Sequence, residues 1–206
     1  MRYRGPRNKI ARREGLDLGL KTPGTKAHAA LLKKINILPG QHGIKAHRKY
    51  SERGKQLREK QKLRFLFGLT EKQLKKYFQQ AVIKKGNTAL YLFQFLERRL
   101  DNVVYRLALA PTRAAARQLI SHGHIKVNDK KISIPSYQVK IGDVVSFASQ
   151  MVTKIPYIES HLNNKNIIIP RWLEKKGLIG KVISLPDQKD IEKQINIRDV
   201  IEYYSR

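Results

Sequence analysis

Arg113, Arg117 and Ser121 recur at intervals of four residues, a spacing that sets three anion-binding side chains on one face of a helix. His122, His124 and Lys126 follow directly, while Arg99 and Arg106, seven residues apart, share a polar side of the preceding segment. Guanidinium, imidazole and ammonium groups at this density suit phosphate oxygens, which accept charge-assisted hydrogen bonds. Other chemistries fail on spacing or composition. His122-Gly-His124 has no cysteine or clustered carboxylate beside it to complete a metal site. No glycine-rich loop carries the lysine that nucleotide binding requires, and no catalytic constellation is present.

Composition points the same way. Among 206 residues, 43 Lys and Arg stand against 16 Asp and Glu, a formal charge of +27. Solubility needs far less, so the self-repulsion requires a polyanionic partner. Nucleic acid is the leading candidate, because each neutralised phosphate releases counterions. A membrane surface competes, yet no apolar run approaches the ~20 residues that span a bilayer. Cysteine is absent, which excludes disulfides, thiolate catalysis and cysteine-ligated zinc. With 41% hydrophobic residues the chain can build one large core or two small ones. Met1-Arg-Tyr-Arg-Gly-Pro6 lacks the apolar stretch of a signal peptide, so the chain is expected to stay in the compartment where it is made.

The elements that position these groups follow from local patterns. Thr112 can cap a helix that Gly123 ends, and Ala115, Ala116, Leu119 and Ile120 give it a face to bury. His124–Val127 alternates as a strand, Asn128-Asp129 supplies a turn, and Lys131–Ile134 returns. Leu100, Val103, Val104 and Leu107 form the stripe of the helix before it. Pro135–Val139 and Val144–Phe147 read as strands around a Lys140–Asp143 turn, so a small mixed sheet with two helices against it is expected. Upstream, Ser51 caps a helix from Glu52 to Phe67 with Leu57, Leu63, Leu66 and Phe67 as its apolar component. Its candidate RNA contacts Arg53, Arg58, Lys62 and Arg64 face only Glu52 and Glu59 as local carboxylates, so the positive face is expected to stay unbalanced.

Thr70 and Gln73 match a capping box for a helix carrying Leu74, Phe78, Ala81 and Val82 at core spacing. Thr88 opens a third helix, and the three form a small helical domain. The first fifty residues, rich in Gly, Pro and basic side chains, read as an arm of short turns and at most one or two short helices, with apolar content too thin for a core: either a flexible, solubilising tail or an extension that orders on RNA. A short helix over Ala27–Ile37 precedes the turn Pro39–Gly43. Arg4, Arg12, Arg13, His42, Lys45 and Arg48 are the arm's candidate RNA contacts. Near the end, Pro156–Leu162 reads as a helix, Asn163–Asn166 as a loop, and Ile167–Leu173 and Leu178–Leu185 as strands with Trp172 in the core. Asn196–Tyr204 reads as a capped terminal helix.

Several segments in fixed order carry a family likeness: Arg12-Arg-Glu-Gly15, Pro39-Gly-Gln-His-Gly43, Leu57-Arg-Glu-Lys-Gln-Lys62, Arg99-Leu-Asp-Asn-Val-Val-Tyr-Arg106, Arg117-Gln-Leu-Ile-Ser-His122, Pro135-Ser-Tyr137 and Tyr203-Tyr-Ser-Arg206. Through them the chain resembles, over essentially its full length, the small-subunit ribosomal protein number four family of bacteria and organelles. Arg99–Phe147 is similar to the alpha-L RNA-binding module. The resemblance implies an α+β protein with a basic N-terminal arm (1–50), a helical domain (51–98) joined by the C-terminal helix (189–206), and the module with extra strands (99–188). It implies direct binding to a multi-helix junction in the 5′ domain of small-subunit ribosomal RNA, and roles in nucleating subunit assembly and in translational accuracy. Ribosomal protein number five as a neighbour, messenger RNA within reach, no cofactor, no membrane partner and a place on cytoplasmic or organellar ribosomes are implied as well.

Many members of that family hold zinc with four cysteines in the arm, two of them three positions apart just after the opening Gly-Pro. Asn8 and Ala11 stand there in this chain. A zinc-free arm is implied, ordered by RNA contacts and local packing. One alternative stands beside this reading. Arg99-Leu-Asp101 is similar to the short motif around the catalytic aspartate of pseudouridine synthases, which often carry the same module, so an RNA-modifying enzyme or accessory factor could dock through it. Asp101 lies at the start of the module, with too few residues left for a separate catalytic domain, and is assigned to capping or to pairing with a nearby arginine.

Overall fold

In the computed structural model, which describes residues 3, 5–43, 49–162, 168–187 and 195–205, the N-terminal residues form two short helices and bury a few apolar side chains, where too little apolar content for a core was expected. Helices α1 (Arg7–Glu14) and α2 (Lys26–Leu32), with the loop between them, bury Ile10, Ala11, Leu18 and Leu31. Polar clamps make up for the thin apolar content. Asp17 accepts from the Gly19 amide at 3.0 Å and meets His28 Nε2 at 2.7 Å, and the Arg12 guanidinium donates to the carbonyls of Ile37 and Leu38. The second helix stops at Leu32, short of Ile37, and turns follow it.

The next helices start where their caps place them. Ser51 Oγ accepts from the Gly54 amide at the head of α3 (Glu52–Leu66), and Thr70 and Gln73 close a reciprocal capping box on α4 (Glu71–Ile83). For α5 (Thr88–Glu97) the capping oxygen is Asn87 Oδ1, which takes the Ala89 and Leu90 amides one residue earlier than expected. The buried face of α3 also differs from its apolar pattern: Leu57 is 38% exposed while Gln56 and Lys60 are buried. On α4, Leu74, Phe78 and Ala81 are buried and Val82 is exposed. Helix α5 carries the chain from the first of two units, Met1–Leu92 with Glu192–Arg206, into the second, Phe93–Ile191.

The second unit is built on α6 (Leu100–Arg106), α7 (Arg113–Ser121), β1 (Ile125–Val127), β2 (Lys130–Lys131), β3 (Val144–Phe147), a 3₁₀ turn over Gln150–Lys154, α8 (Pro156–Leu162), β4 (Leu173–Lys176) and β5 (Ile179–Val182). The strands form one sheet in the order β2-β1-β3-β5-β4. Every pairing in it is antiparallel, so the sheet is not mixed. Tight turns between β1 and β2 and between β4 and β5 leave no length for a parallel crossover. Leu100, Val103, Val104, Leu107, Leu119 and Ile120 from the two helices share a core with Ile125, Val145, Trp172 and Val182.

Pro135–Val139 does not become a strand. Its carbonyls satisfy the first amides of α6 instead, Leu100 donating to Tyr137 O at 2.8 Å and Asp101 to Pro135 O at 3.1 Å. Helix starts need such acceptors, and among the described residues a single bridge, Arg99 to Gln138, joins that segment to its neighbours in sheet fashion. The returning strand β2 is likewise only Lys130–Lys131. The strand expected over Ile167–Leu173 begins at Leu173, with Ile168 93% exposed, and the loop expected at Asn163–Asn166 lies outside the described residues.

Helix α9 (Ile197–Ser205) returns to the first unit, with Asn196 Oδ1 accepting from the Arg198 amide. It explains the polar burial on α3. Gln56 Nε2 donates to Glu202 at 2.8 Å, and Lys60 sits over the Tyr203 ring, 4.3 Å from its centroid. Lys60 Nζ and the Tyr204 hydroxyl both donate to Glu71 Oε1, at 2.8 and 2.7 Å. Tyr204 also stacks on Phe78, centroids 5.0 Å apart.

Two expectations follow from this packing. Gly180 is buried, and a Cβ there would fall on the Leu107 side chain. Gly180→Ala is therefore expected to cost about 1–3 kcal/mol by overpacking, read as a lower midpoint in chemical denaturation. Burial pushes the Glu71 carboxyl up, but hydrogen bonds from Lys60 and Tyr204, with the charges of Lys60 and Arg64, bring it below its ordinary value of 4.5. A carboxylate with a depressed folded pKa stabilises fully above its unfolded value and loses that contribution as pH falls through the folded one. Acid melting curves of Glu71→Gln should accordingly flatten relative to the unmodified chain below about pH 4.5. Parallel curves would show that Glu71 does not carry this dependence.

Candidate nucleic-acid interface

Two polar chains run through the α6–α7 layer. Asp101, 3% exposed, accepts from Arg99 Nε and Nη2 at 3.1 and 2.8 Å and from Arg117 Nε at 3.0 Å. Glu97, 1% exposed, takes a two-pronged contact from Arg106 at 3.1 and 2.8 Å and a hydrogen bond from Asn102 Nδ2 at 2.7 Å. Asn102 Oδ1 in turn accepts from Arg113 Nε at 2.8 Å, and the Arg113 guanidinium lies 4.5 Å from the centre of the Tyr105 ring. Buried carboxylates persist only when paired and hydrogen-bonded, and arginines supply the matching fork.

These chains correct part of the sequence reading. Arg99 and Arg113 are 2% and 8% exposed, so both are interior ties and not surface contacts for RNA. Arg106 and Arg117 keep side-chain exposures of 20% and 19% beside their ion pairs. The face of α7 expected to hold anions is thus partly turned inward, because Asp101 takes Arg117 and Asn102 takes Arg113. Asp101 has the pairing role expected of it, and a carboxylate sealed by two arginines cannot meet a substrate as an open nucleophile.

Outward-facing groups cluster where α7 ends and the hairpin begins. Thr112 Oγ1 caps α7 by accepting from the Ala115 amide, and Gly123 takes a φ of 72°, which favours glycine and lets the chain reverse into β1. Ser121 and His122 are exposed, His124 and Lys126 half-buried, and the two imidazoles stack with centroids 6.0 Å apart. Asn128 and Asp129 adopt φ of 49° and 63°, the geometry of a two-residue hairpin turn. Asn128 fixes it further, donating to Asp143 Oδ1 at 2.8 Å and accepting from the Val144 amide at 2.9 Å. The register places Lys126 opposite Lys131 and Val127 opposite Lys130. Lys130 and Lys131, both exposed, were not among the expected contacts. Their signal was present, since a two-residue turn at Asn128-Asp129 dictates those pairings.

The first unit presents a second set. Arg13, His42 and Arg53 are exposed. Arg12 is committed to the Ile37 and Leu38 carbonyls, and Arg58 to Glu14 at 2.9 Å and the Tyr50 hydroxyl at 3.0 Å. Lys62 pairs with Glu59 at 2.6 Å, and Arg64 lies over the Phe65 ring. The positive face of α3 is therefore more balanced than its local sequence suggests, because Glu14 and Glu71 arrive from elsewhere in the chain. Burial pushes the Glu14 carboxyl up while Arg58 pulls it back. Arg4, Lys45 and Arg48 lie outside the described residues. Among the described residues no group of three or more His, Asp and Glu side chains is placed to hold a metal ion.

Asp101→Asn removes the charge that two arginines share. A loss of about 3–5 kcal/mol is expected, as when one partner of a buried pair is removed, measured by denaturant unfolding. A change below about 1 kcal/mol would mean the pair is no stronger than a solvent-exposed one.

Comparison with known proteins adds what geometry alone does not. Residues 2–97 match the Ribosomal protein S4/S9 N-terminal domain, and residues 98–145 match the S4 domain. Small ribosomal subunit protein uS4 of Aquifex aeolicus is 47% identical over 213 residues, covering 100% of this chain and 99% of the relative. The proteins of that name from a Sulfurihydrogenibium species and from Chloroflexus aurantiacus are each 44% identical, over 209 and 211 residues, and cover 99% and 100% of this chain and 98% and 99% of their own lengths. With two consecutive domain matches and full-length identity of this order, the chain belongs to the small ribosomal subunit protein uS4 family, and the enzymatic alternative is set aside with that assignment.

Proposed function

We propose that this structural ribosomal protein, with its RNA-binding S4 domain, binds small-subunit ribosomal RNA directly at a multi-helix junction of the 5′ domain. There it nucleates assembly of the subunit and, next to ribosomal protein number five and the path by which messenger RNA enters, contributes to translational accuracy. Its place is the ribosome, which in bacteria is cytoplasmic. The observation that carries the RNA-binding part is the Lys126–Lys131 pair. Like charges directly opposite on adjacent strands destabilise a hairpin, yet here the register is held by a tight turn and an Asn128 bracket. A phosphate between the strands removes that repulsion.

Recognition is then by shape. Side chains cannot read the deep groove of A-form RNA, so exposed cations contact phosphates and 2′-hydroxyls. Ser121, His122, His124, Lys126, Lys130 and Lys131 do this from the second unit, and Arg13, His42 and Arg53 from the first. Arg106 and Arg117 support it through their exposed edges. The junction and the assembly role rest on the family relationship, and the cation arrangement supports the phosphate contacts.

Footprinting naked small-subunit RNA with the purified chain should protect one junction in the 5′ domain, and dispersed protection would refute that location. Lys126→Ala and Lys131→Ala should each weaken binding uniformly across RNA sequences and lower the slope of log affinity against log salt by about one. An unchanged slope in both would remove these lysines from the interface.

A further inference from the structure

The first unit holds a pocket of 520 Å³ walled by α1, α3 and the segment just before α3. Such a volume accommodates a nucleotide-sized ligand. Tyr3, Tyr50 and Phe65 contribute aromatic lining. Tyr3 and Phe65 meet edge to face with centroids 5.5 Å apart, and the planar Arg64 guanidinium lies 4.4 Å from the Phe65 centroid. Two of the lining side chains each keep a buried polar atom without a hydrogen-bond partner among the described residues: Gln61 Oε1 and Arg64 Nε. One accepts and the other donates. Leaving both unmade is costly, and although Arg64 Nη1 lies 4.0 Å from Glu71, that pairing leaves Nε without an acceptor among the described residues.

The charges of the pocket orient a ligand. Arg58 is held by Glu14 and Tyr50, so the interior carries a carboxylate already neutralised and disfavours a second anion. Arg13, also in the lining, is exposed and available to one. A flat, neutral group with a donor and an acceptor on one edge, linked to an anion, answers all of these features. Nucleobases have that form, but only when unpaired, because within a stem their faces and edges are occupied.

We propose that this pocket receives a single unpaired nucleotide of the RNA that the chain binds. Its base stacks against the aromatic lining, its edge gives one donor to Gln61 Oε1 and one acceptor to Arg64 Nε, and Arg13 neutralises its phosphate. The assignment rests on the RNA-binding reading above and adds to it a base-reading site outside the S4 domain.

The test titrates the full chain with two RNA hairpins that differ by a single uridine. One carries 2-aminopurine as a single-nucleotide bulge, and in the other that base is paired opposite uridine. The bulged hairpin should bind at least about fivefold tighter, the order that one stacked base contributes, and its fluorescence should fall as the ring stacks. Gln61→Leu and Tyr50→Ala should each reduce the preference below about twofold, read as the ratio of the two affinities, so that a loss common to both hairpins, such as one from the Arg58 side chain that Tyr50 holds, cancels. Melting temperatures of both variants identify any loss of fold, and Tyr50→Phe, which keeps the ring, should retain the preference. Equal affinity for the two hairpins, or a preference that survives in Tyr50→Ala, overturns the pocket assignment and leaves the RNA-binding reading standing. Failure to bind either hairpin even at low salt overturns both, since the phosphate contacts that both readings need require no particular junction.

Discussion

The carboxylate of Asp101, shared by Arg99 and Arg117 inside the second unit, shows the constraint under which the whole chain folds. With 16 acidic residues for 43 basic ones, a cation drawn into the interior has few partners, and an unpaired buried charge is far costlier than a poorly packed apolar group. Acids therefore sit where burial is unavoidable. Glu97 holds Arg106 and, through Asn102, Arg113; Glu71 holds Lys60; Glu14 holds Arg58. The interior is thus electrically balanced, and the surplus charge is displaced to the surface.

That division gives each unit a balanced interior with an excess of cations outside it, which is what recognition of a folded polyanion needs. Contacts made by side chains that are already fixed cost little conformational entropy on binding. The Asn128-Asp129 hairpin and the capped α7 supply such fixity in the second unit, and the clamps around Arg12, Asp17 and His28 supply it in the first. Those clamps give the N-terminal residues local structure although their apolar content is small.

Local features were legible in the sequence, and long-range ones were not. Ser51, Thr70 and Thr112 cap the helices they precede because a cap involves residues two or three positions away. The stripe Leu100, Val103, Val104 and Leu107 is fully buried, as its helical spacing implies. By contrast, Gln56 is buried because Glu202, 146 residues distant, accepts from it, and no window of sequence contains that relation. Pro135–Val139 resembles a strand by composition, yet the start of α6 takes its carbonyls. In the candidate interface the same limit applies. Lys126 was legible beside its turn, whereas Arg99 and Arg113 are indistinguishable in sequence from exposed arginines, since charge is written in the residue and burial is not.

The two-residue turn at Asn128 and Asp129 has a further consequence for how chains of this kind can vary. Both residues occupy left-handed backbone, where asparagine, aspartate and glycine interchange with little strain. An inserted residue is different. Side chains alternate between the faces of a strand, so a shift of one position would send Lys126 and Lys131 to opposite sides of the sheet. The turn therefore tolerates substitution more readily than a change of length, and an insertion that is not absorbed in a bulge would silence the hairpin without altering a single basic residue.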